Sequence, residues 1–169
     1  MFSMPGKIEH INKAKLNIQL DTGYMINFEK WVPAVQHCVV KIMLNDLTLY
    51  HGNVNQPVCI EHEFLDTANG NYKLTVEVED LADVFDLDNT RAFPMLHIQG
   101  IWIENLNLRM AFEEYGKCHC PERPDIIVPS EYMGSVGAIS LQFTTPIYKW
   151  LLQCDNRKDS NYYSPFLIE

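Results

Sequence analysis

Two short stretches of the chain gather side chains able to hold a cation. The run Asp80-Leu81-Ala82-Asp83-Val84-Phe85-Asp86-Leu87-Asp88-Asn89-Thr90 strings carboxylate and amide oxygens close together, and calcium takes roughly six to eight such hard ligands. The glycine and distal glutamate of an EF-hand loop are missing, and Leu81, Val84 and Leu87 punctuate the run as packing residues would. No tight calcium site is expected there. Cys118-His119-Cys120 offers two thiolates and an imidazole to zinc, but a C-x-C spacing lacks the second pair of a structural zinc site. Unless Cys38, Cys59 or Cys154 converges on it, the reading is free thiols, packed or exposed.

Nucleophilic catalysis needs a Ser, Cys or Thr beside a positioned base, with an oxyanion site near. No serine occupies a G-x-S-x-G turn, and His37, His51, His62 and His97 fall in or beside β-rich runs, where a histidine is more often structural or superficial than a base. With 22 acidic residues, nothing singles out a carboxylate pair for glycoside hydrolysis. No catalytic, cofactor-binding or metal-binding residue is therefore assigned, and no enzymatic activity is expected. Trp31, Trp102, Trp150 and eight tyrosines suit either sugar stacking or core filling. Trp102 lies between Ile101 and Ile103 and must point away from both in a strand. With the isoleucines buried, it stands on the outer face, covered by a neighbour or open to a partner.

The elements that would carry these residues read as strands. Tyr72 to Glu79 alternates apolar and polar strictly, the period of a half-buried strand. Val58 to Phe64 alternates as well, and the turn-rich 66–71 between them suggests an antiparallel hairpin. Leu16, Ile18 and Leu20 share a face before a turn at Asp21-Thr22-Gly23. Cys38, Val40, Ile42 and Leu44 precede a second hairpin turn at Asn45-Asp46, with Leu47 to Tyr50 returning, and the runs 96–103 and 139–144 add strands. No dozen-residue window holds a helical stripe; Pro146 to Gln153 is a closing helical turn or another strand. The reading is all-β, an antiparallel two-sheet β-sandwich or jelly roll of about eight strands, with a closed barrel as the alternative. The segments 80–94 and 113–137 read as long loops presented by a rigid sheet.

Composition bounds the partners. The 169 residues carry a net charge of −9 with a pI near 5.1, so a phosphate backbone meets net repulsion. The adjacent basic pair Arg157 and Lys158 sits between Asp155 and Asp159, and nucleic-acid binding is not expected. No segment approaches the roughly 18 apolar residues of a membrane span, nor does the N-terminus read as a secretory signal. Synthesis in a cytosol without membrane insertion is the expectation. Five irregularly spaced cysteines favour reduced thiols.

The stretch Tyr132-Met133-Gly134, then Ala138 to Leu151 with its F-T-T-P-x-Y-x-W ending, preceded by Ile101-Trp102-Ile103-Glu104-Asn105-Leu106, resembles small β-sandwich proteins of tailed bacteriophages, which in turn look similar to carbohydrate-binding modules. The resemblance spans Cys38 to Leu151. It implies a virion component made in the host cytoplasm, such as a decoration, collar or fibre-associated protein. Its partners would be other virion proteins or copies of itself, with a host-surface glycan as the alternative. The single domain 1–169 would then carry an N-terminal arm over 1–15 and a C-terminal arm over 155–169. Within the latter, Tyr162, Tyr163, Phe166, Leu167 and Ile168 are apolar enough to need cover; with Trp102 they are the expected partner-binding residues.

Overall fold

The computed structural model describes residues 12–126 and 129–156. In chain order the strands are β1 (Lys13–Ile26), β2 (Lys30–Pro33), β3 (Cys38–Leu44), β4 (Leu47–Asn53), β5 (Val58–Leu65), β6 (Gly70–Leu81), β7 (Phe85–Leu87), β8 (Thr90–Ile103) and β9 (Leu106–Asn107). Helix α1 (Arg109–Tyr115) follows, then β10 (Lys117–His119), β11 (Tyr132–Met133), β12 (Gly137–Thr145) and helix α2 (Ile147–Asn156). The chain is an all-β sandwich of a seven-stranded and a five-stranded antiparallel sheet. Of these twelve strands among the described residues, eight have four or more residues; the four short ones are too brief to show a period.

The seven-stranded sheet is built in three rows. β1 and β8, each of 14 residues, pair antiparallel from Leu16↔Ile103 to Ile26↔Ala92. On the free side of β1, β5 pairs Lys13 to Leu20 and β2 pairs Gly23 to Ile26. On the free side of β8 lie β9, β11 and β7 in succession. The five-stranded sheet runs β10-β12-β6-β3-β4. Side chains alternate across a strand, so each sheet turns one set inward. Leu16, Ile18, Leu20, Ile60, Leu96, Ile98, Ile101 and Ile103 meet Val40, Ile42, Leu74, Val76, Val78, Ile139, Leu141 and Phe143 in one buried core.

Helix α2 closes one end of the sandwich. Its first free N–H, on Ile147, donates to Asp66 Oδ1 at 2.7 Å, which satisfies one of the amides that a helix start leaves without an internal partner. Trp150, Leu151 and Cys154 are buried, and Trp150 meets Phe143 edge-on at 6.1 Å between ring centres. Phe143 also stacks on Tyr72 at 5.5 Å and touches Phe64 at 5.9 Å. This aromatic plug joins both sheets to the helix.

Several expectations are corrected. The alternating runs 58–64 and 72–79 do not pair: β5 lies beside β1 and β6 lies between β3 and β12, in opposite sheets. Alternation reports which residues of a strand are inward, not which strand is its neighbour. Asp21-Thr22-Gly23 is no turn, because β1 continues to Ile26; Thr22 is buried and its hydroxyl donates to the carbonyls of Ala34 and Val54 at 3.2 and 3.1 Å. The acidic segment 80–94 is no loop but contains the β7–β8 hairpin, turning at Asp88 with φ +53°. Segment 113–137 contains the end of α1, β10 and β11. The β3–β4 hairpin turns at Asn45-Asp46 as read, Asn45 adopting φ +54°. At the ends, residues 13–15 of the expected N-terminal arm open β1 and residues 155–156 of the C-terminal one close α2. Tyr162, Tyr163, Phe166, Leu167 and Ile168 lie outside the described residues. Among those described, no helix is long and apolar enough to cross a membrane.

The two faces of β6 are separable by mutation. Val76 is fully buried, whereas Thr75 lies on the outer face. Replacing Val76 with Asp strands a charge in the core and should cost on the order of 4 kcal/mol; Thr75→Asp should cost well under half of that. Urea midpoints of the two variants measure the difference, and equal shifts would refute the assigned faces.

Candidate functional site

The outer face of the seven-stranded sheet owes its arrangement to one irregularity. The register of β1 on β8 shifts between Gln19 and Leu20, so that Gln19 faces Gly100 and Leu20 faces Ile98, leaving Gln99 as the extra residue. Such a bulge lets a strand change phase while its core residues stay inward. Its signature is the inward series Leu96, Ile98, Ile101, Ile103, which advances by three residues once instead of by two. Beyond the bulge Asp21 faces His97 directly across the strands, both outward.

Asp21 is the most enclosed carboxylate of this face, its side chain 11% exposed. Its Oδ1 lies 3.1 Å from His97 Nδ1 and its Oδ2 accepts from Gln99 Nε2 at 2.9 Å. Both carboxylate oxygens are thereby satisfied, as a buried charge requires. The His97 ring stacks on Tyr132 of β11 with centres 4.3 Å apart and planes within 7°. Trp31 of β2 reaches over Gly23 to meet both rings edge-on, at 5.3 Å from His97 and 5.1 Å from Tyr132. Only glycine permits this: a Cβ at position 23 would come within 2.9 Å of the Trp31 ring and of the Pro33 Cα. Burial, then the charges of Glu131 and Asp21, push the Tyr132 phenol above its ordinary value.

Gln99 links this cluster to a cavity of about 90 Å³ under α1, lined by Ile101, Arg109, Phe112, Glu131 and Ile139 among others. Arg109 reaches Glu113 at 3.3 Å and Glu131 at 3.5 Å. Cavities that enclose drug-sized ligands run to roughly 300 Å³ or more; this one has room for a few waters or one small group. Trp102 stands on the same outer face, half-buried, while Ile101 and Ile103 point into the core. Its ring lies over Gly100, where a Cβ would meet Cζ3 at 2.6 Å, and it pairs in register with Asn17 on one side and Asn107 on the other.

The far end of the same sheet is different in kind. Phe28 is 70% exposed, Phe85 55% and Leu87 59%, with Val84 also exposed, half of the eight large apolar residues found exposed among those described. They lie at the end of the sheet where the β1–β2 and β7–β8 hairpins meet, Phe28 against Phe93 on the outer face and Phe85 on the core-side face; Asn27 N–H donates to Arg91 O at 2.8 Å and Arg91 N–H donates to Asn27 Oδ1 at 2.8 Å. Phe28 stacks on Phe93 at 4.1 Å, and Arg91 lies 5.0 Å above the same ring. By register Phe85 shares the core-side face with Ala92 and Ile26, yet the core stops short of it. Phe28 holds φ +62°, a left-handed conformation costing a bulky residue about 1–2 kcal/mol.

The residues singled out for metals are used otherwise. Asp80 accepts from His37 at 2.7 Å, which with the Leu81 N–H holds its carboxyl below the usual range. Asp86 pairs with Arg91 at 3.0 Å. Cys38 and Cys154 are buried apart from Cys118 and Cys120, and Cys59 is exposed on β5. No three His, Cys, Asp or Glu side chains among the described residues are placed to share an ion. The Asp21–His97–Gln99 cluster is hidden in the sequence because Asp21-Thr22-Gly23 has the composition of a turn; the alternation of Leu16, Ile18 and Leu20, continued past it, puts Asp21 on the outer face. No signal in the sequence pairs it with His97, 76 residues away.

No family model, curated protein or solved structure matches the chain.

Removing the carboxylate should loosen this face. Asp21→Ala leaves His97 and Gln99 without their acceptor and should lower stability by about 1–3 kcal/mol, a fall of several degrees in Tm. Asp21→Asn, which keeps one acceptor oxygen, should lose less. Thermal melts of the pair check the order, and an Asp21→Ala variant melting like the parent would show the cluster to be energetically idle.

Proposed function

We propose that the chain is a non-enzymatic structural component of a tailed-phage virion, fixed in place by protein–protein contacts made at the double-hairpin end of the seven-stranded sheet. The observation that carries this reading is the exposed apolar run Val84, Phe85 and Leu87 in and beside β7, with Phe28 exposed on the other face of the same end. Clustered apolar side chains on a soluble surface mark association sites, and aromatics are enriched where interfaces bury most energy. The virion setting itself is supported by the resemblance over Cys38 to Leu151, and the net charge of −9 suits a partner that is protein rather than nucleic acid.

A second reading is a glycan-binding module, and one observation favours it. The outer face of the same sheet presents Trp31 with Tyr132, and Trp102 flanked by Asn17 and Asn107; aromatic planes beside amides suit the apolar face and hydroxyls of a pyranose. The two readings place the contact on different residues, so they separate by mutation.

A Phe85→Ser, Leu87→Ser variant removes exposed apolar surface without touching the core. It should melt within a few degrees of the parent yet fail to enter particles when supplied in place of the parent during particle assembly. Mass spectrometry of purified particles measures incorporation. Equal incorporation of parent and variant would overturn the assignment of this end, and absence of the parent chain from particles would overturn the virion reading. Loss of glycan-array binding in Trp31→Ala or Trp102→Ala, with particle entry intact, would establish the second reading instead.

A further inference from the structure

The sulfurs of Cys118 and Cys120 lie 3.4 Å apart. Residues two apart in a strand project to the same face, and Cys118, within β10, is held against Ile139 of β12 by the ladder. β10 ends at His119, so the backbone of Cys120 is outside the ladder and able to bend toward its neighbour. His119, between them, points to solvent. Cys120 is buried against Gly137, where a Cβ would sit 2.8 Å from Cys120 Sγ and 2.6 Å from His119 O; the absence of a side chain there makes the space that seats the thiol. A void of about 30 Å³ borders both cysteines, with Tyr132, Ser135 and Ile139 around it. Cys118 is only half-buried, so one thiol of the pair is reachable and the other is held behind it.

We propose that Cys118 and Cys120 form an oxidisable dithiol that closes into an intramolecular disulfide by exchange with a low-molecular-weight disulfide such as oxidised glutathione. The reachable Cys118, as thiolate, attacks one sulfur of the small disulfide; that S–S bond breaks and one small thiolate leaves. Cys120, on losing its proton, attacks Cys118 Sγ in the mixed disulfide and expels the second small thiolate. Two protein thiols are oxidised, one small disulfide is reduced to two thiols, and the two protons released reside on the leaving thiolates. Bond formation shortens the 3.4 Å separation to about 2.05 Å, a movement that falls on Cys120, one residue past the last β10–β12 pair and tied there through its carbonyl to the Arg123 N–H at 3.0 Å.

Burial, with the neighbouring Cys120 thiol, pushes the Cys118 thiol up to about 11. Only roughly one molecule in ten thousand then carries the thiolate at pH 7, and the closure rate should rise about tenfold per pH unit up to pH 9. The full chain bearing Cys59→Ser, which removes the exposed thiol on β5, is incubated in glutathione buffers of increasing oxidised-to-reduced ratio, quenched in acid, alkylated and digested. The expected result is a loss of two hydrogens from the peptide holding both cysteines, no alkylation of either, and a return to the dithiol on adding dithiothreitol. Cys118→Ser should leave Cys120 free, and Cys120→Ser should halt at a glutathione adduct on Cys118. Retention of both thiols at the most oxidising ratio, accumulation of the adduct with both cysteines present, or closure only in urea would each overturn the proposal. If Cys120→Ser fails to fold, Cys118→Ser at the half-buried position decides the same point.

Discussion

The ladder between β1 and β8 is the constraint to which everything else in the molecule is attached. Every other strand of the seven-stranded sheet pairs with one of these two, and their inward residues supply most of that sheet's half of the core. Backbone polar groups withdrawn from water must find partners, so two strands of this length commit the chain to flanking rows on both sides. The short β2, β7, β9 and β11 answer that demand piecewise. Where neither β5 nor β2 covers β1, Thr22 fills the gap: its hydroxyl donates to Ala34 and Val54 and its carbonyl accepts from Ala34 N at 3.1 Å.

The single register shift in this ladder divides labour between the two faces. A bulge adds one residue to one strand and leaves the inward series intact on both sides of it. Here the added residue is Gln99, which bonds Asp21 sideways and borders the cavity under α1. The outer-face cluster of Asp21, His97, Tyr132 and Trp31 is thus set by backbone geometry first and by side-chain chemistry second. Gly23 and Gly100 belong to the same logic, each leaving the room of a missing Cβ to an indole that comes close over it.

Much of the fold was legible because burial leaves a period-two trace. β3, β5, β6 and the inward residues of β8 and β12 are written in alternation, and the β3–β4 turn in Asn45-Asp46. Pairing partners were not legible, since an inward set is the same whichever sheet it belongs to; this is why β5 and β6 were joined as a hairpin although they face each other across the core. Helix α1 escaped, and α2 was legible only as one of two alternatives over Pro146 to Gln153, for a different reason. α1 has 7 residues and α2 has 10, both under the dozen residues over which a helical stripe was sought, and their first turns are held by side chains outside them: Asn107 Oδ1 just upstream on the Arg109 N–H for one, the distant Asp66 for the other. Of the expected site, Trp102 is placed on the outer face by its neighbours Ile101 and Ile103, while the exposed end was hidden because Val84 and Leu87 read as packing residues in an acidic loop. Apolar type signals a need for cover without saying whether the fold itself provides it.

The three-row arrangement gives the molecule a strength that depends on direction. Antiparallel ladder bonds stand perpendicular to the strands, and β1 and β8 run without interruption from the buried core to the double-hairpin end. A pull along the strands loads many of these bonds in shear at once, and they must give way together. A sideways pull on the β7 edge loads them singly, and the three pairs of Phe85 to Leu87 would open like a zipper. Tension borne at the hairpin tips is therefore carried into the sandwich along its stiffest axis, while the flanking row of short strands can peel without disturbing the two that carry the load.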